Sequence, residues 1–147
     1  MGKDENRFEI DLPPGWEDQT VYHFRGPVVD DREHMLMMIV DRKLQTKEIG
    51  EFALRRTGLI AVSLQGIEVL KDEETTVAGC YPSWEFVYRW IPAEGVKIFK
   101  KYIFVLHGSR GYSFEIEFSK MSYKLLGEQV KKLVEELLPG TYEAKED

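Results

Sequence analysis

The sequence predicts an α+β fold, with an antiparallel sheet of about six or seven strands and two main helices. Many short segments alternate apolar and polar residues with a period of two, which is typical of strands. Two longer stretches repeat their apolar residues every three or four positions, as helices do. Short turns join consecutive strands, so we expect neighbouring strands to run antiparallel. The predicted order is three strands, a helix, a four-strand meander and a C-terminal helix.

Three strands are predicted before the first helix. They are Phe8–Leu12, Val21–Phe24 and Met35–Val40, with turns at Pro13–Gly15, Gly26-Pro27 and Asp30–Glu33. Proline, glycine and aspartate favour turns because of their backbone preferences and short polar side chains. The third strand is an unbroken apolar run, which is typical of a strand buried on both faces.

The first helix is predicted near Thr46 to Leu64. Thr46 suits the N-cap position because its hydroxyl can accept a hydrogen bond from the first turn, and Gly66 is placed to end the helix. Ser122 is predicted to cap the second helix, which ends before Pro139-Gly140. The apolar stripes of the two helices are Ile49, Phe52, Ala53, Ile60 and Leu64, and Leu126, Val130, Leu133, Val134 and Leu137.

The meander lies between the two helices. Its predicted strands are Ile67–Val77, Ser83–Ile91, Val96–Leu106 and Tyr112–Phe118, with turns at Pro92–Gly95 and Gly108–Gly111. The chain has no internal repeat or linker, so 1–147 is predicted to be a single domain with flexible ends at 1–6 and 141–147.

Charge and hydropathy exclude several classes of function. The 147 residues include 20 Lys and Arg against 26 Asp and Glu, a net charge of −6, and no basic block. Such a chain is poorly suited to binding the phosphate backbone, so we expect no nucleic-acid partner. The first 16 residues lack the apolar core of a secretory signal. No apolar stretch approaches the roughly 20 residues that span a bilayer. We therefore expect a cytoplasmic protein that does not insert directly into a membrane.

The sequence does not support catalysis. Cys80 is the single cysteine, which excludes a disulfide scaffold, and no His or Asp is adjacent to it. We expect it to be a structural cysteine, because free cysteines are among the most buried residues. His23, His34 and His107 lack the short spacing of a metal site. We therefore expect no enzyme activity, no cofactor and no metal.

The unusual feature is a surplus of large apolar residues on the strands. Strands near 35–40, 84–91 and 97–106 carry them on both faces, and Met35, Met37 and Met38 crowd a single strand. Flexible methionines can repack around varied partners. Two helices leave part of such a sheet uncovered, so we expect an interface for a second subunit or a client protein. The alternative is a sheet covered by helices on both sides.

A family resemblance rests mainly on the start of the chain. The segment Phe8–Phe24 reads F-E-I-D-L-P-P-G-W-E-D-Q-T-V-Y-H-F, and its entry strand and Trp16 turn resemble the DcrB-like, PsbP/Mog1-like domains. Within them it looks most like the effector-associated (Eag) chaperones of bacterial type VI secretion. Further matches are Met38–Arg42, the helix running to Leu64–Gly66, and Thr76–Gly79. The C-terminal strands and helix also fit, so the resemblance covers nearly the whole chain.

The resemblance implies a cytoplasmic homodimer with a curved antiparallel sheet. Such chaperones hold the hydrophobic N-terminal transmembrane helices of a secreted effector until it is loaded onto the secretion spike. The positions that match their client-binding residues are Val21, His23, Ile60 and Leu64. Tyr22 and Phe24 would take the other face of the strand. For Val21, Ile60 and Leu64, plain core packing is the alternative role.

Two further positions complete the implied client-binding set but depart from the family pattern. Related chaperones place glutamines near Arg56 and Tyr102, where they hydrogen-bond the polar backbone of the client. Both residues can still donate a hydrogen bond, although neither is an amide. His23 likewise stands where an aliphatic residue is expected.

A second function, from a different class, is a small-molecule or lipid carrier. Trp84, Phe86, Tyr88 and Trp90 alternate on one side of a predicted strand. Trp84, Tyr88 and Trp90 are predicted to line a pocket between the sheet and a helix in this alternative. Because one fold can host unrelated functions, the resemblance does not decide between the two.

Overall fold

The structure is a computed structural model that describes residues 11–44 and 46–138. Its elements are β1 (Gln19–Val29), β2 (Arg32–Asp41), α1 (Ile49–Ser63), β3 (Glu68–Val77), β4 (Tyr81–Ala93), β5 (Val96–His107), β6 (Arg110–Phe118) and α2 (Lys120–Leu137). The six strands form one sheet in the order β1-β2-β6-β5-β4-β3, and all neighbours are antiparallel. The predicted α+β class and the four-strand meander are confirmed.

Some sequence predictions fall on residues that the structure does not describe. Most of the predicted strand Phe8–Leu12 lies outside the described residues, and residues 11 and 12 are not in a strand. The predicted flexible ends at 1–6 and 141–147 also lie outside them.

The strand β1 is longer than the sequence predicts. It was expected to end at Gly26-Pro27 but continues to Val29, so that prediction is wrong. The pairing with β2 shifts between Arg25 and Val28, which marks a bulge around the proline. Because β1 is an edge strand, a proline without an N–H group does not interrupt the rest of the sheet.

Both helices begin at a different cap from the predicted one. The N-cap of α1 is Glu48, while the Thr46 hydroxyl accepts a hydrogen bond from the Glu48 amide at 3.1 Å and donates to Glu51 at 3.0 Å. The N-cap of α2 is Ser119, and Ser122 completes a reciprocal capping box three residues later. Ser122 is fully buried, so it supports the cap from inside the first turn.

The two faces of the sheet, called face A and face B here, carry separate cores. Helix α1 packs on β4 and β5 on face A, and α2 packs on β5 and β6 on face B. The core of face A consists of Ile49, Phe52, Ala53, Phe86, Tyr88, Phe104 and Leu106. The larger core of face B includes Leu36, Met38, Val40, Ile103, Val105, Phe114, Ile116, Phe118, Leu126, Val130, Val134 and Leu138.

The apolar strand β2 is buried on one face only, contrary to the prediction for Met35–Val40. Its residues Leu36, Met38 and Val40 are at most 6% exposed on face B. On face A, Met35 is 43% exposed, and Met37 and Ile39 are half-buried. The reason is that α1 packs mainly over β4 and β5 and reaches the end of β2, where Arg56 donates to Asp41.

Candidate functional site

The candidate site is the part of face A that α1 leaves uncovered, called the open face here. Residues paired directly across antiparallel strands share a face of the sheet. The register therefore places residues of β1, β2 and β6 in rows across the open face. The first row is Val21, Ile39 and Ser113, the second is His23, Met37 and Glu115, and the third begins with Arg25 and Met35. The open face thus combines apolar residues of β1 and β2 with polar ones, and its carboxylate, Glu115, lies on β6.

Two of the sequence-predicted residues, Val21 and His23, lie on the open face in β1. The Val21 side chain is 46% exposed. His23 is exposed, and its Nδ1 lies 3.0 Å from the sulfur of Met35. Tyr22 and Phe24 point to face B, as the resemblance implies. Tyr22 packs against the face B core, whereas Phe24 is 37% exposed.

Tyr102 lies beside the open face within a network of polar groups. Its hydroxyl donates a hydrogen bond of 2.9 Å to Glu115. The ammonium of Lys100 lies 2.9 Å from the same carboxylate and 3.1 Å from Glu117. A cavity of about 230 Å³ lies among Lys100, the two glutamates and Met35. The open face therefore offers hydrogen-bonding groups next to its apolar surface.

Burial and pairing fix the protonation states in this network. Burial, together with the charge of Glu115, raises the pKa of the Tyr102 phenol far above its usual range, so the phenol stays protonated. Burial alone would lower the pKa of Lys100, but Glu115 and Glu117 outweigh it and raise that pKa. At neutral pH the network therefore holds a cationic lysine and a neutral tyrosine.

Arg56 lies on α1, at the border between the helix and the strands of the open face. Its guanidinium donates to the carboxylate of Asp41, which is 4% exposed. It also lies 5.6 Å from the centre of the Phe52 ring. Arg56 is therefore engaged inside the protein. Its side chain is still 32% exposed, and a guanidinium has five N–H donors, so some can reach a ligand.

Ile60 and Leu64 lie where α1 meets the sheet. Both are half-buried and pack against the core of face A. The exposed apolar residues of the helix are others: Leu54, Leu59 and Val62, between 69% and 86% exposed. The structure thus gives Ile60 and Leu64 a packing role. It places Val21 and His23 side by side on β1, with Tyr102 three strands away in the same row as His23.

Sequence reasoning missed the cluster formed by Lys100, Glu115 and Glu117. Their alternation with apolar residues indicates only that one face of the strand is polar. The hairpin turn after His107 could have revealed the pairing. It sets His107 opposite Arg110, and seven residues further from the turn on each strand Lys100 lies opposite Glu117. The register of a tight hairpin follows from its loop length.

The residues considered for catalysis lie apart from the open face, except for His23. Cys80 is exposed in the turn before β4, so the expectation that it is buried is wrong. His34 is 2% exposed and its Nδ1 lies 3.0 Å from the carbonyl of Pro27. The ring of His107 packs edge-to-face on Tyr81. Within 11–44 and 46–138, no three His, Cys, Asp or Glu residues are grouped to hold a metal ion.

The aromatic residues of the carrier alternative are part of the face A core. Tyr88 is 4% exposed, with its ring 6.0 Å from that of Phe86. Trp84 is half-buried against this core and donates from its indole nitrogen to Asp72 at 2.6 Å. Trp90 is also half-buried. The side chain of Tyr88 therefore fills the space between sheet and helix where a ligand was expected.

A solved structure with the same arrangement of strands and helices comes from Pseudomonas aeruginosa. It is PA94, a protein of unknown function described as a candidate regulator. The two chains share a fold. The TM-score is 0.67 over 88% of this chain and 90% of PA94, at 17% sequence identity. No family model and no curated protein matches the chain. No helix among the described residues is long and apolar enough to cross a membrane.

Proposed function

We propose that this protein is a non-enzymatic chaperone or adaptor that shields the hydrophobic N-terminal transmembrane helices of a secreted effector before type VI secretion loading. In this proposal it acts as a homodimer in the cytoplasm. The observation that carries the proposal is the open face. Val21 on β1 and Met35, Met37 and Ile39 on β2 form an apolar strip beside His23, Arg25 and Glu115, and α1 packs mainly on β4 and β5 instead.

The apolar part of the open face suits an apolar helix. A transmembrane helix is apolar all round and must be kept from water until it reaches a bilayer. Burial of apolar surface contributes about 25 cal/mol per Å², so a few side chains laid across two strands give useful affinity. Met35 and Met37 can change rotamer to fit differing side chains, which suits a client whose helices are not identical.

The polar groups at the border of the open face suit the hydrogen-bonding groups of such a helix. The Tyr102 hydroxyl donates to Glu115, and its oxygen can still accept from a client N–H. Arg56 has N–H groups beyond the one that Asp41 uses. These are the two positions where the resemblance implies glutamines, so the proposal assigns them the same task, with Arg56 as a donor and Tyr102 as an acceptor.

The first experiment is a pull-down of the tagged protein from its native host in mild detergent, read by mass spectrometry. The proposal predicts one dominant large partner whose N-terminal region contains apolar helical segments. Recovery of the bait alone, in cells that express their secretion genes, would contradict it and favour a ligand carrier.

A pair of variants tests the open face itself. Val21→Glu puts a charge on the open face and should abolish recovery of the client, because a buried unpaired carboxylate is costly. Leu125→Glu adds the same charge on the exposed side of α2, where Leu125 is 64% exposed, and should leave recovery unchanged. Both variants should keep the circular dichroism of the wild type. Undiminished recovery with Val21→Glu would remove the open face as the client site.

The homodimer is tested separately by light scattering after gel filtration. The proposal predicts a mass near twice 17.2 kDa for the protein without client. A monomer at micromolar concentration would contradict the proposed dimer. It would not affect the proposed client site, which the pull-down tests.

A further inference from the structure

The far side of the sheet holds a second candidate site, a cleft on face B. Helix α2 packs on β5 and β6, and its first turn borders a cavity of about 360 Å³ that extends over β4 and β3. The apolar residues of the cleft are Leu70, Val87, Phe99 and Tyr123. Val87 is 5% exposed and lies in the sheet, whereas Leu70, on the edge strand, is 47% exposed. The volume is in the range of small-molecule sites.

Three lysines line the same cleft. Lys71 is paired with Glu85 at 3.0 Å and with Glu73 at 3.5 Å. Lys120 and Lys124 form no ion pair with another described residue, although the chain as a whole carries a net charge of −6. The cleft therefore joins an apolar floor to two exposed lysines that form no ion pair with a described residue.

The position of Lys120 is electrostatically unfavourable for the helix alone. Lys120 is the first residue of α2, Lys124 follows one turn later, and the first turn has no acidic residue. The N-terminal end of a helix carries a partial positive charge, so lysines there repel it, and acidic residues are the usual choice. They are four residues apart and so lie on one side of the helix. An anion held at this position would offset both the lysine charges and the helix end.

We propose that this cleft binds a single-chain anionic amphiphile, with its apolar chain on Leu70, Val87 and Phe99 and its carboxylate or phosphate head group between Lys120 and Lys124. The complementarity is of two kinds, since the floor needs an apolar body and the two ammonium groups need an anion. The cleft lies on the opposite face of the sheet from the open face. The inference is therefore independent of the proposed chaperone function.

The test is isothermal titration calorimetry of the full chain with twelve-carbon amphiphiles below their micelle-forming concentrations. Laurate and dodecyl phosphate are the anionic probes, and dodecyltrimethylammonium is the cationic one. We expect saturable one-to-one binding of at least one anionic probe, and the tighter of the two identifies the head group. Absence of saturable binding of both anions, or equal affinity for the cationic probe, would overturn the assignment.

Two double variants locate the head group. Lys120→Gln with Lys124→Gln should weaken binding of the anionic probe by about tenfold or more, because two charge-assisted contacts are lost. Lys131→Gln with Lys132→Gln removes the same charge from exposed positions of the same helix and should change affinity less than about twofold. Equal losses in the two double variants would show a general charge effect and refute the site.

A third variant separates this cleft from the open face. Val21→Glu, which tests the client site, should leave binding of the anionic probe unchanged. Loss of probe binding in Val21→Glu would place the amphiphile on the open face and overturn the inference. The thermal transition of each variant, measured without probe, shows that the protein is folded.

Discussion

Arg56 of α1 donates a hydrogen bond to the carboxylate of Asp41 at the end of β2. Gln19 of β1 donates to the other oxygen of the same carboxylate at 2.6 Å. One buried carboxylate thus joins the helix to both strands of the hairpin that carries the open face. The pair therefore sets where the helix stops covering face A.

Arg56→Ala should lower the free energy of unfolding by about 2–3 kcal/mol, because it leaves the buried Asp41 carboxylate without its cation. The neighbouring Arg55 is the matched control. It pairs with Glu51 on the exposed side of the same helix, so Arg55→Ala should cost about 0.5 kcal/mol or less. Urea denaturation of both variants measures the difference, and equal losses would contradict the structural role of Arg56.

Gly111→Ala should destabilise the protein by about 1–3 kcal/mol through overpacking. A Cβ there would come within 2.5 Å of Leu44 and 2.7 Å of Phe52, and the Phe52 ring is 1% exposed against the sheet. Gly58 lies inside α1, and a Cβ there meets nothing within 4 Å. Gly58→Ala should therefore stabilise by about 0.5–1 kcal/mol. Thermal melting of the two variants should shift in opposite directions.

Acid should weaken the ion pairs around Glu85. Its carboxylate lies 3.0 Å from Lys71 and 3.2 Å from Lys101. Burial alone would raise the pKa of Glu85, but the two lysines outweigh it and lower that pKa below its usual value of 4.5. Since the folded pKa is depressed, the stabilisation is present above pH 4.5 and is lost as pH falls through the folded pKa.

Glu85→Gln isolates this contribution. The difference in unfolding free energy between the wild type and Glu85→Gln should be largest near neutral pH and shrink as the pH falls below about 4.5. Denaturant titrations at several pH values measure it. A difference that stays constant over this range would show that Glu85 does not carry the acid sensitivity.

Ser119→Ala should cost about 1 kcal/mol, because it removes the oxygen that accepts from the Ser122 amide at the start of α2. Ser63 at the end of α1 provides a control. Its exposed hydroxyl donates only to carbonyl oxygens of its own helix, those of Leu59 and Ile60, so Ser63→Ala should change stability by less than about 0.5 kcal/mol. Similar losses in both variants would contradict the importance of the α2 cap.

The strands of the meander could be predicted because alternation and turn chemistry are local properties of the sequence. The alternate residues Trp84, Phe86, Tyr88 and Trp90 lie on one face of β4, as the period of two requires. The end of β1 could not be predicted in the same way. Gly26-Pro27 normally stops a strand, and only the position of β1 at the sheet edge, with a bulge, lets it continue to Val29.

The open face depends on distant contacts, so its extent could not be deduced from local patterns. An apolar run such as Met35–Val40 fits a strand covered on both faces as well as one with an uncovered face. Which applies depends on where α1 packs. The Arg56–Asp41 pair that helps to fix this position joins residues 15 apart with no recurring motif. Val21 and His23 were placed by resemblance, and the register explains why they share a surface.

Among the described strands, β1 and β3 form the two edges of the sheet, and both are poor templates for adding another strand. On β3, the consecutive residues Lys71–Glu74 are all charged. On β1, a bulge and Pro27 interrupt the row of backbone donors. Charges, prolines and bulges on edge strands are the devices that oppose fibril growth. Edges of this kind oppose the addition of further strands, so the exposed part of face A does not by itself make the sheet a template for polymerisation.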